Sequence, residues 1–172
     1  MVCLIMDRRG FRTPRESESM ARLKHIYADK YPYFITTRTA SGKQVFSNEK
    51  NAEILLSAIY FGREKGWYQL LSFVIMPDHL HLIVIPAEKN VSQIMKSIKG
   101  FASRAINLEG RSGVPLWQEG FYDYAIDGVK KLITKIRYVE ENPVRKGLAF
   151  KVEDYRFSSA GGSNDTDLVS SL

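Results

Sequence analysis

The feature that most constrains the fold is a pair of apolar segments separated by a two-residue turn. Residues 67–76 and 79–85 are rich in aliphatic and aromatic side chains, and only Pro77 and Asp78 lie between them. So short a connection joins antiparallel strands, because a parallel pair needs a crossover of a dozen or more residues. Proline also favours the early position of a tight turn. We therefore predict two antiparallel strands here.

The elements on either side of this hairpin alternate between strands and helices. Hydrophobic periodicity predicts strands at 31–39 and 121–126, and helices at 48–65, 91–108 and 129–142. Pro143 is expected to stop the last helix. The order strand, helix, hairpin, helix, strand, helix is that of a ferredoxin-like or RRM-like α+β fold. We predict an antiparallel sheet with helices on one face and a functional site on the other.

Both ends of the chain differ in composition from its middle. Residues 1–24 are basic and contain Gly and Pro, so we predict a flexible basic arm that can touch DNA backbone. Residues 158–172 are rich in Ser, Gly and Asp and predict a flexible tail. Residues 25–157 are then a single catalytic domain, which is an ordinary size for one hydrophobic core.

Charge and cysteine usage narrow the class of partner and the compartment. The chain carries 25 Lys and Arg against 19 Asp and Glu, a net charge of +6, which favours a polyanionic partner such as nucleic acid. No apolar run reaches the roughly 18 to 20 residues of a membrane span. The single cysteine, Cys3, excludes an internal disulfide. We expect a cytoplasmic, nucleoid-associated protein without a membrane partner.

Two of the three histidines of the chain stand in the second strand of the hairpin. His79 and His81 flank Leu80, and side chains two apart in a strand point to the same face, roughly 7 Å apart along the strand. Two imidazoles at this spacing can converge on one divalent cation. The pattern alone also fits surface or packing histidines.

A tyrosine in the last predicted helix lies off the apolar face of that helix. At about 100° per residue Tyr138 lies opposite Val129, on a basic and polar face with Lys131 and Lys135. Asn142 lies one turn further along the same face, where its amide oxygen can be a third ligand to the cation. A phenol is a weak nucleophile that a nearby cation can activate. Tyr138 is therefore the candidate nucleophile, although an exposed or packing tyrosine would give the same pattern.

These residues resemble those of the HUH single-tyrosine transposases, and most closely the REP-associated tyrosine transposase branch. Three segments carry the resemblance: 74–83 around the two histidines, 116–123, and 138–148 beginning with the tyrosine. Together with the opening strand they span roughly residues 31 to 148. Their order and combination are far more specific than any one segment.

The resemblance implies a transposase that cuts single-stranded DNA, usually at a hairpin-marked, REP-like element. Tyr138 would form a covalent 5′-phosphotyrosine intermediate and leave a free 3′-OH for strand transfer. His79, His81 and Asn142 would bind Mg²⁺ or Mn²⁺. Members of the family often have Gln at the position of Asn142, and the shorter amide is expected to loosen this third ligand. Relatives act as a monomer or as a homodimer, and the sequence leaves both open.

Further residues are candidates for contacts with single-stranded or hairpin DNA. Basic and polar side chains on two helices and the loop between them can hold phosphates, although each of them also fits a solvated helix face. Aromatic residues near the loop at 110–120 can stack unpaired bases, with core packing favoured for Phe121. The phosphate candidates are Lys96, Lys99, Ser103, Arg104, Arg111, Lys131 and Lys135, and the aromatic candidates are Trp117, Phe121 and Tyr122.

Two other functions remain open at the level of sequence. One is a domesticated module that binds hairpin DNA or RNA without cutting it. A pure binder has no need of the full set His79, His81, Tyr138 and Asn142, which argues against this function. The other is a metal-dependent nuclease that uses bound water, with Tyr138 as a bystander.

Overall fold

A four-stranded antiparallel sheet forms the centre of the molecule. The computed structural model describes residues 31–110, 115–162 and 164–168, so the predicted basic arm at 1–24 lies outside the described residues. The strands are β1 (Tyr33–Arg38), β2 (Tyr68–Met76), β3 (His79–Pro86) and β4 (Tyr122–Ala125). Their order in the sheet is β2-β3-β1-β4, and every adjacent pair is antiparallel.

Within the ranges that the structure describes, four α-helices accompany the sheet. They are α1 (Glu49–Glu64), α2 (Val91–Gly110), α3 (Val129–Glu140) and α4 (Asn142–Arg145). The strands and α-helices as far as β4 follow the order β1-α1-β2-β3-α2-β4, and the strand order is that of a ferredoxin-like sheet. The predicted α+β fold class is therefore confirmed. Among the described residues, no helix is both long enough and apolar enough to cross a membrane.

The alternation of side chains along the strands produces two apolar cores, one on each face of the sheet. On one face Leu80 and Leu82 of β3 pack with α1 and α2, through side chains that include Leu55 and Ile98. The sequence predicted all the helices on one face of the sheet, and α1 and α2 lie as predicted. On the other face α3 packs against the sheet through Leu132, Ile136 and Val139, which the sequence did not predict. The candidate site therefore lies beside a helix and not on a bare sheet.

The chain forms one more helical turn at the proline where α3 was predicted to stop. Helix α3 ends at Glu140, and Asn142 begins the short helix α4 with Pro143 in its first turn. Proline is tolerated there because a first-turn N–H has no partner within the helix. The sequence prediction of a stop was therefore wrong in detail, and the structure has a break followed by one more helical turn.

The segment after residue 157, predicted to be a flexible tail, packs along the free edge of β2 as far as the structure describes it. Ser158 is fully buried and forms a bridge with Val74. Further along, the backbone N–H of Asp167 donates to the carbonyl of Leu70 over 2.7 Å, and its carboxylate binds the Arg63 guanidinium at 2.8 Å. Because this segment pairs through its backbone with β2 and covers the edge of the sheet, its conformation is fixed. The packed domain thus extends beyond the boundary predicted at 157.

Candidate active site

The two histidines lie side by side on the face of the sheet covered by α3. Both point to this face because they alternate with Leu80, which points into the other core. Their ring centroids are 4.7 Å apart with the rings steeply inclined, and each residue is only 6% exposed. Two imidazoles this close and this well shielded form one site and not two independent surface groups.

Each imidazole is fixed by a hydrogen bond at its Nδ1 atom. Asp78 of the hairpin turn lies 2.6 Å from Nδ1 of His79, and Thr36 of the neighbouring strand places its hydroxyl 2.7 Å from Nδ1 of His81. A carboxylate can only accept this hydrogen bond, so His79 carries its proton on Nδ1 and keeps the Nε2 lone pair available. A partner of this kind behind a histidine is typical of metal-ligating imidazoles.

Burial keeps both imidazoles neutral at physiological pH. It lowers the pKa of His81 to about 3, and the positive charges of Arg38 and Lys135 add to the effect. Burial also lowers the pKa of His79, although Asp78 opposes the shift. Neutral imidazole is the form that binds a metal ion.

Asp78, in the hairpin turn, stays ionised under the same conditions. Burial favours its protonated form, but its hydrogen bond and charge interaction with His79 outweigh burial and lower the pKa of the carboxyl group. An ionised carboxylate behind an imidazole fixes the orientation of the ring and makes it a stronger ligand. The pair is therefore suited to hold His79 in one position.

Tyr138 of α3 lies directly against the histidine pair. Its ring centroid is 5.7 Å from that of His81 and 6.1 Å from that of Phe34. Two cationic groups lie over its ring, with Nζ of Lys135 4.6 Å and the guanidinium carbon of Arg145 5.4 Å from the centroid. The phenol is half-buried, so its ring is positioned by packing while part of the side chain remains open to solvent.

Asn142 stands one helical turn beyond Tyr138 and is 6% exposed. Its Nδ2 donates to the carbonyl of Tyr138 over 3.4 Å, which turns the amide oxygen away from that carbonyl. Lys146 follows directly after α4, and its charge lowers the pKa of His79, so the end of this helix lies near the site. Its position is compatible with a third ligand for a metal at the histidines.

The donor set fits a divalent cation. Nowhere in the described ranges do three His, Cys, Asp or Glu side chains come together to bind a metal ion. A metal at His79 and His81 therefore needs a further ligand of another kind, such as an amide oxygen. The two neutral imidazoles with fixed Nδ1 partners could supply two nitrogen ligands, and the remaining coordination positions would be open to water or phosphate.

Two of the predicted DNA contacts have structural roles. Trp117, predicted to stack bases, is 8% exposed, packs on Phe46 with centroids 5.3 Å apart, and donates from Nε1 to the carbonyl of Lys99. Lys99 in turn donates to the carbonyls of Gln118 and Gly120 at 3.0 and 2.6 Å. Its ammonium group therefore fixes the loop before β4 through these two hydrogen bonds. The predicted DNA-binding roles of Trp117 and Lys99 stay predictions, and the structure adds these internal contacts to them.

The other predicted phosphate contacts separate into two regions. Lys96 and Ser103 line an open groove of about 480 Å³ between α2 and the loop before β4, on the side of the sheet away from the histidines. Arg104 is exposed on the same helix. On α3, Lys131 is paired with Asp127 at 2.5 Å and is exposed, whereas Lys135 lies at the candidate site. Arg111 lies outside the described residues.

Five residues at the site were not identified from the sequence, among them Asp78, which was predicted only as part of the turn. Thr36 and Arg38 are directly opposite His81 and His79 in the register of β1 against β3, and Arg145 and Lys146 follow from the position of α4. Register between strands distant in sequence is not readable from one chain. The one available signal was that Thr36 and Arg38 are two positions apart in a predicted strand, which puts them together on one face.

The site combines a strand that carries two histidines with a tyrosine on an adjacent helix, on a ferredoxin-like sheet. Comparison with known protein families identifies the class of protein to which this arrangement belongs. The profile of a family described as "Transposase IS200 like" matches residues 17–142, most of the chain. The chain therefore belongs to the IS200-like transposase family.

The similarity to individual relatives runs through the same region. The REP-associated tyrosine transposase of Escherichia coli (strain K12) is 28% identical over 142 residues, which cover 81% of this chain and 82% of that protein. A solved structure of a REP-associated tyrosine transposase bound to a REP hairpin superposes with a TM-score of 0.64 at 24% identity, covering 76% of this chain and 77% of that one. The resemblance noted from the sequence is thus confirmed, and the solved structure shows the shared fold.

Proposed function

We propose that this chain is a transposase that cleaves single-stranded DNA and transfers the strand through a covalent Tyr138–DNA intermediate. The observation that carries the proposal is the 5.7 Å separation between the rings of Tyr138 and His81, with His79 adjacent at 4.7 Å. A nucleophile beside a potential metal site is the arrangement that phosphoryl transfer to a side chain requires. All three side chains come from one protomer, which favours a monomer as the active unit over a homodimer.

His79 and His81 would bind Mg²⁺ or Mn²⁺ through Nε2, with the Asn142 amide oxygen as a third ligand. When bound, the ion would polarise a phosphate oxygen and offset the charge of the transition state. Asp78 and Thr36 hold the two imidazoles in the required orientation through their hydrogen bonds to Nδ1.

The reaction itself is an exchange of one phosphodiester for another. The phenol of Tyr138 releases its proton to solvent, its oxygen attacks the phosphorus atom, and the bond from phosphorus to the 3′ oxygen breaks. That oxygen takes up a proton and leaves as a free 3′-OH on the upstream strand. The downstream strand stays linked to Tyr138 through its 5′-phosphate. Because the tyrosyl diester conserves the energy of the broken bond, a 3′-OH can reverse the step on another strand without ATP. Lys135, Arg38 and Arg145 supply positive charge beside the site and would hold the phosphates.

Hairpin DNA is the partner that the comparisons favour. The solved relative is bound to a REP hairpin, and the Escherichia coli relative is REP-associated by name. We extend this to the present chain, whose net charge of +6 suits a polyanion.

The proposal is tested by incubating the protein with a hairpin DNA carrying single-stranded flanks in Mn²⁺ and looking for a protein–DNA band in denaturing gels. We expect a covalent band for the wild type and for Tyr60→Phe, a matched loss of a tyrosine hydroxyl from α1 on the other face of the sheet. Tyr138→Phe should give none, because only the attacking oxygen is removed.

Three outcomes would contradict the proposal. An adduct that persists in Tyr138→Phe would remove this residue from the nucleophile role. Cleavage without any adduct would favour a nuclease that uses water. Tight hairpin binding without cleavage in any divalent metal would favour a binding module.

A further inference from the structure

A row of aromatic rings runs from the candidate nucleophile to the exposed edge of the sheet. The ring of Tyr138 lies 6.1 Å from Phe34, Phe34 lies 5.6 Å from Tyr124, and Tyr124 lies 5.9 Å from Tyr122, all measured between ring centroids. The last two tyrosines belong to β4, and we call them the tyrosine strip. The row thus links the site to a surface that the catalytic chemistry does not use.

Strand register places the tyrosine strip on the same face as the histidines. Tyr124 is opposite Phe34, and Tyr122 is opposite Thr36, which on its other side is opposite His81. Tyr122 is therefore two strands away from His81, or about 10 Å at the usual strand spacing. That separation suits a nucleotide next to the one being cut, on the same surface and within reach of a single strand.

The aromatic row becomes more exposed with distance from the site. Phe34 is buried, Tyr124 is half-buried and Tyr122 is 62% exposed. β4 is the last strand of the sheet and only four residues long, so Tyr122 stands at an open edge. A large ring with a free face beside a buried aromatic base can receive a planar ligand without rearrangement of the core.

Lys135 lies between the strip and the candidate nucleophile. Nζ of Lys135 is 4.5 Å from the centroid of Phe34, 5.5 Å from that of Tyr124 and 4.6 Å from that of Tyr138. Aromatic faces next to a cation are the combination that proteins use for unpaired nucleotides, whose bases stack on the rings while the backbone meets the charge. An aliphatic ligand would have no use for the charge, and a folded duplex would hide its base faces.

We propose that the tyrosine strip is a stacking platform for one or two unpaired bases adjacent to the scissile phosphate, with Lys135 binding the intervening phosphate. The inference rests on the proposed function, since it names where the single-stranded flank of the substrate lies. It assigns Tyr122 to substrate binding and leaves the covalent step to Tyr138.

The test measures DNA binding in a Tyr138→Phe background, which keeps the ring and prevents cleavage. Affinity for a hairpin with a single-stranded flank is measured by fluorescence anisotropy for Tyr122→Ala and Tyr122→Phe. Phe61→Ala is the control, because Phe61 is 49% exposed and its ring contacts Trp67. Its helix α1 packs on the other face of the sheet. We expect about a tenfold loss for Tyr122→Ala and less than about a twofold change for Tyr122→Phe and for the control.

Abasic substitutions along the flank locate the stacked base. For the protein that retains Tyr122, one abasic position in the DNA should lower the affinity as much as Tyr122→Ala does. For Tyr122→Ala, the same abasic position should cause no further loss of affinity, since both changes remove the same contact. Unchanged affinity in Tyr122→Ala, or losses that multiply at every position, would overturn the stacking platform. Adduct formation by protein that retains Tyr138 is measured on the same DNA. If the binding results are as expected but no adduct forms, only the cleavage proposal is refuted. If the adduct forms but Tyr122→Ala binds DNA as tightly as the protein with Tyr122, only the stacking platform is refuted.

Discussion

The ring of Tyr138 and the ring of His81 lie with their centroids 5.7 Å apart, although one residue belongs to a helix and the other to a strand. The apolar side chains Leu132, Ile136 and Val139 fix the helix on the sheet, within the same core as Ile83 of the histidine strand. Core packing therefore determines the separation of the two functional rings. The geometry of the candidate site therefore depends on apolar residues outside it.

Replacement of Asp78 should weaken metal binding without unfolding the protein. In Asp78→Asn the amide no longer offers a charged acceptor to Nδ1 of His79, so the ring loses its fixed orientation and part of its basicity. Partners of this type are worth about 10- to 100-fold in metal affinity. We expect a loss in this range for Mn²⁺, measured by titration calorimetry.

Asp127→Asn is the matched control for Asp78→Asn. It removes an equal charge from an exposed pair with Lys131 and should leave Mn²⁺ affinity unchanged. An equal loss in both variants would mean that the effect is general electrostatics and not orientation of His79.

The metal-free protein should lose stability as the pH falls below 6.5, and His81 should account for part of the loss. Burial lowers the pKa of His81 from 6.5 to about 3 in the folded chain. Between these two values the unfolded chain binds a proton that the folded chain does not. The free energy of unfolding therefore decreases with falling pH by about 1.4 kcal/mol per pH unit from this group, and the decrease ends near the folded pKa.

Urea unfolding of the wild type and of His81→Gln at pH 6.5 and pH 5, in EDTA, measures this contribution. The wild type should lose about 2 kcal/mol more than the variant over this interval, because Gln does not titrate. Equal losses in the two proteins would contradict a neutral, buried His81.

The segment after residue 157 should contribute measurably to stability. Asp167 accepts the backbone N–H of Leu70 at 2.8 Å and pairs with Arg63 through both carboxylate oxygens. We expect Asp167→Ala to lower the free energy of unfolding by about 1 to 3 kcal/mol, since the Leu70 N–H loses its acceptor. The control is Asp165→Ala. Its carboxylate contacts the same guanidinium but is 81% exposed, so it should cost at most about 0.5 kcal/mol. Comparable effects of the two substitutions would indicate that the segment adds no specific contact.

Local patterns in the sequence were sufficient for the fold and for the direction of the key side chains. The two-residue turn at Pro77 and Asp78 predicted the hairpin, and the alternation around Leu80 predicted that His79 and His81 share a face, as the structure has them. The apolar stripe of α3 predicted that Tyr138 lies away from the centre of its core. These features follow from periods of 2 and 3.6 residues, which need only neighbouring positions.

Features that depend on pairing between distant segments were not predictable in the same way. Arg38 reaches His79 only through the register of β1 against β3. Trp117 is buried because its loop pairs with Thr39 and packs on Phe46, although its sequence position fitted an exposed loop. The Ser- and Gly-rich composition after residue 157 suggested a tail, whereas Ser158 is buried against β2. Composition does not reveal an edge strand that needs covering.

The central claim is that one phenol oxygen, that of Tyr138, attacks the DNA. The most direct measurement is mass spectrometry of the protein–DNA adduct after digestion with a protease and a nuclease. Tyr122 and Tyr124 lie on the same face as Tyr138 and are joined to it by the aromatic row. The account predicts that the nucleotide mass is found on the peptide containing Tyr138 alone. Nucleotide on Tyr122, on Tyr124 or on any other residue would contradict it.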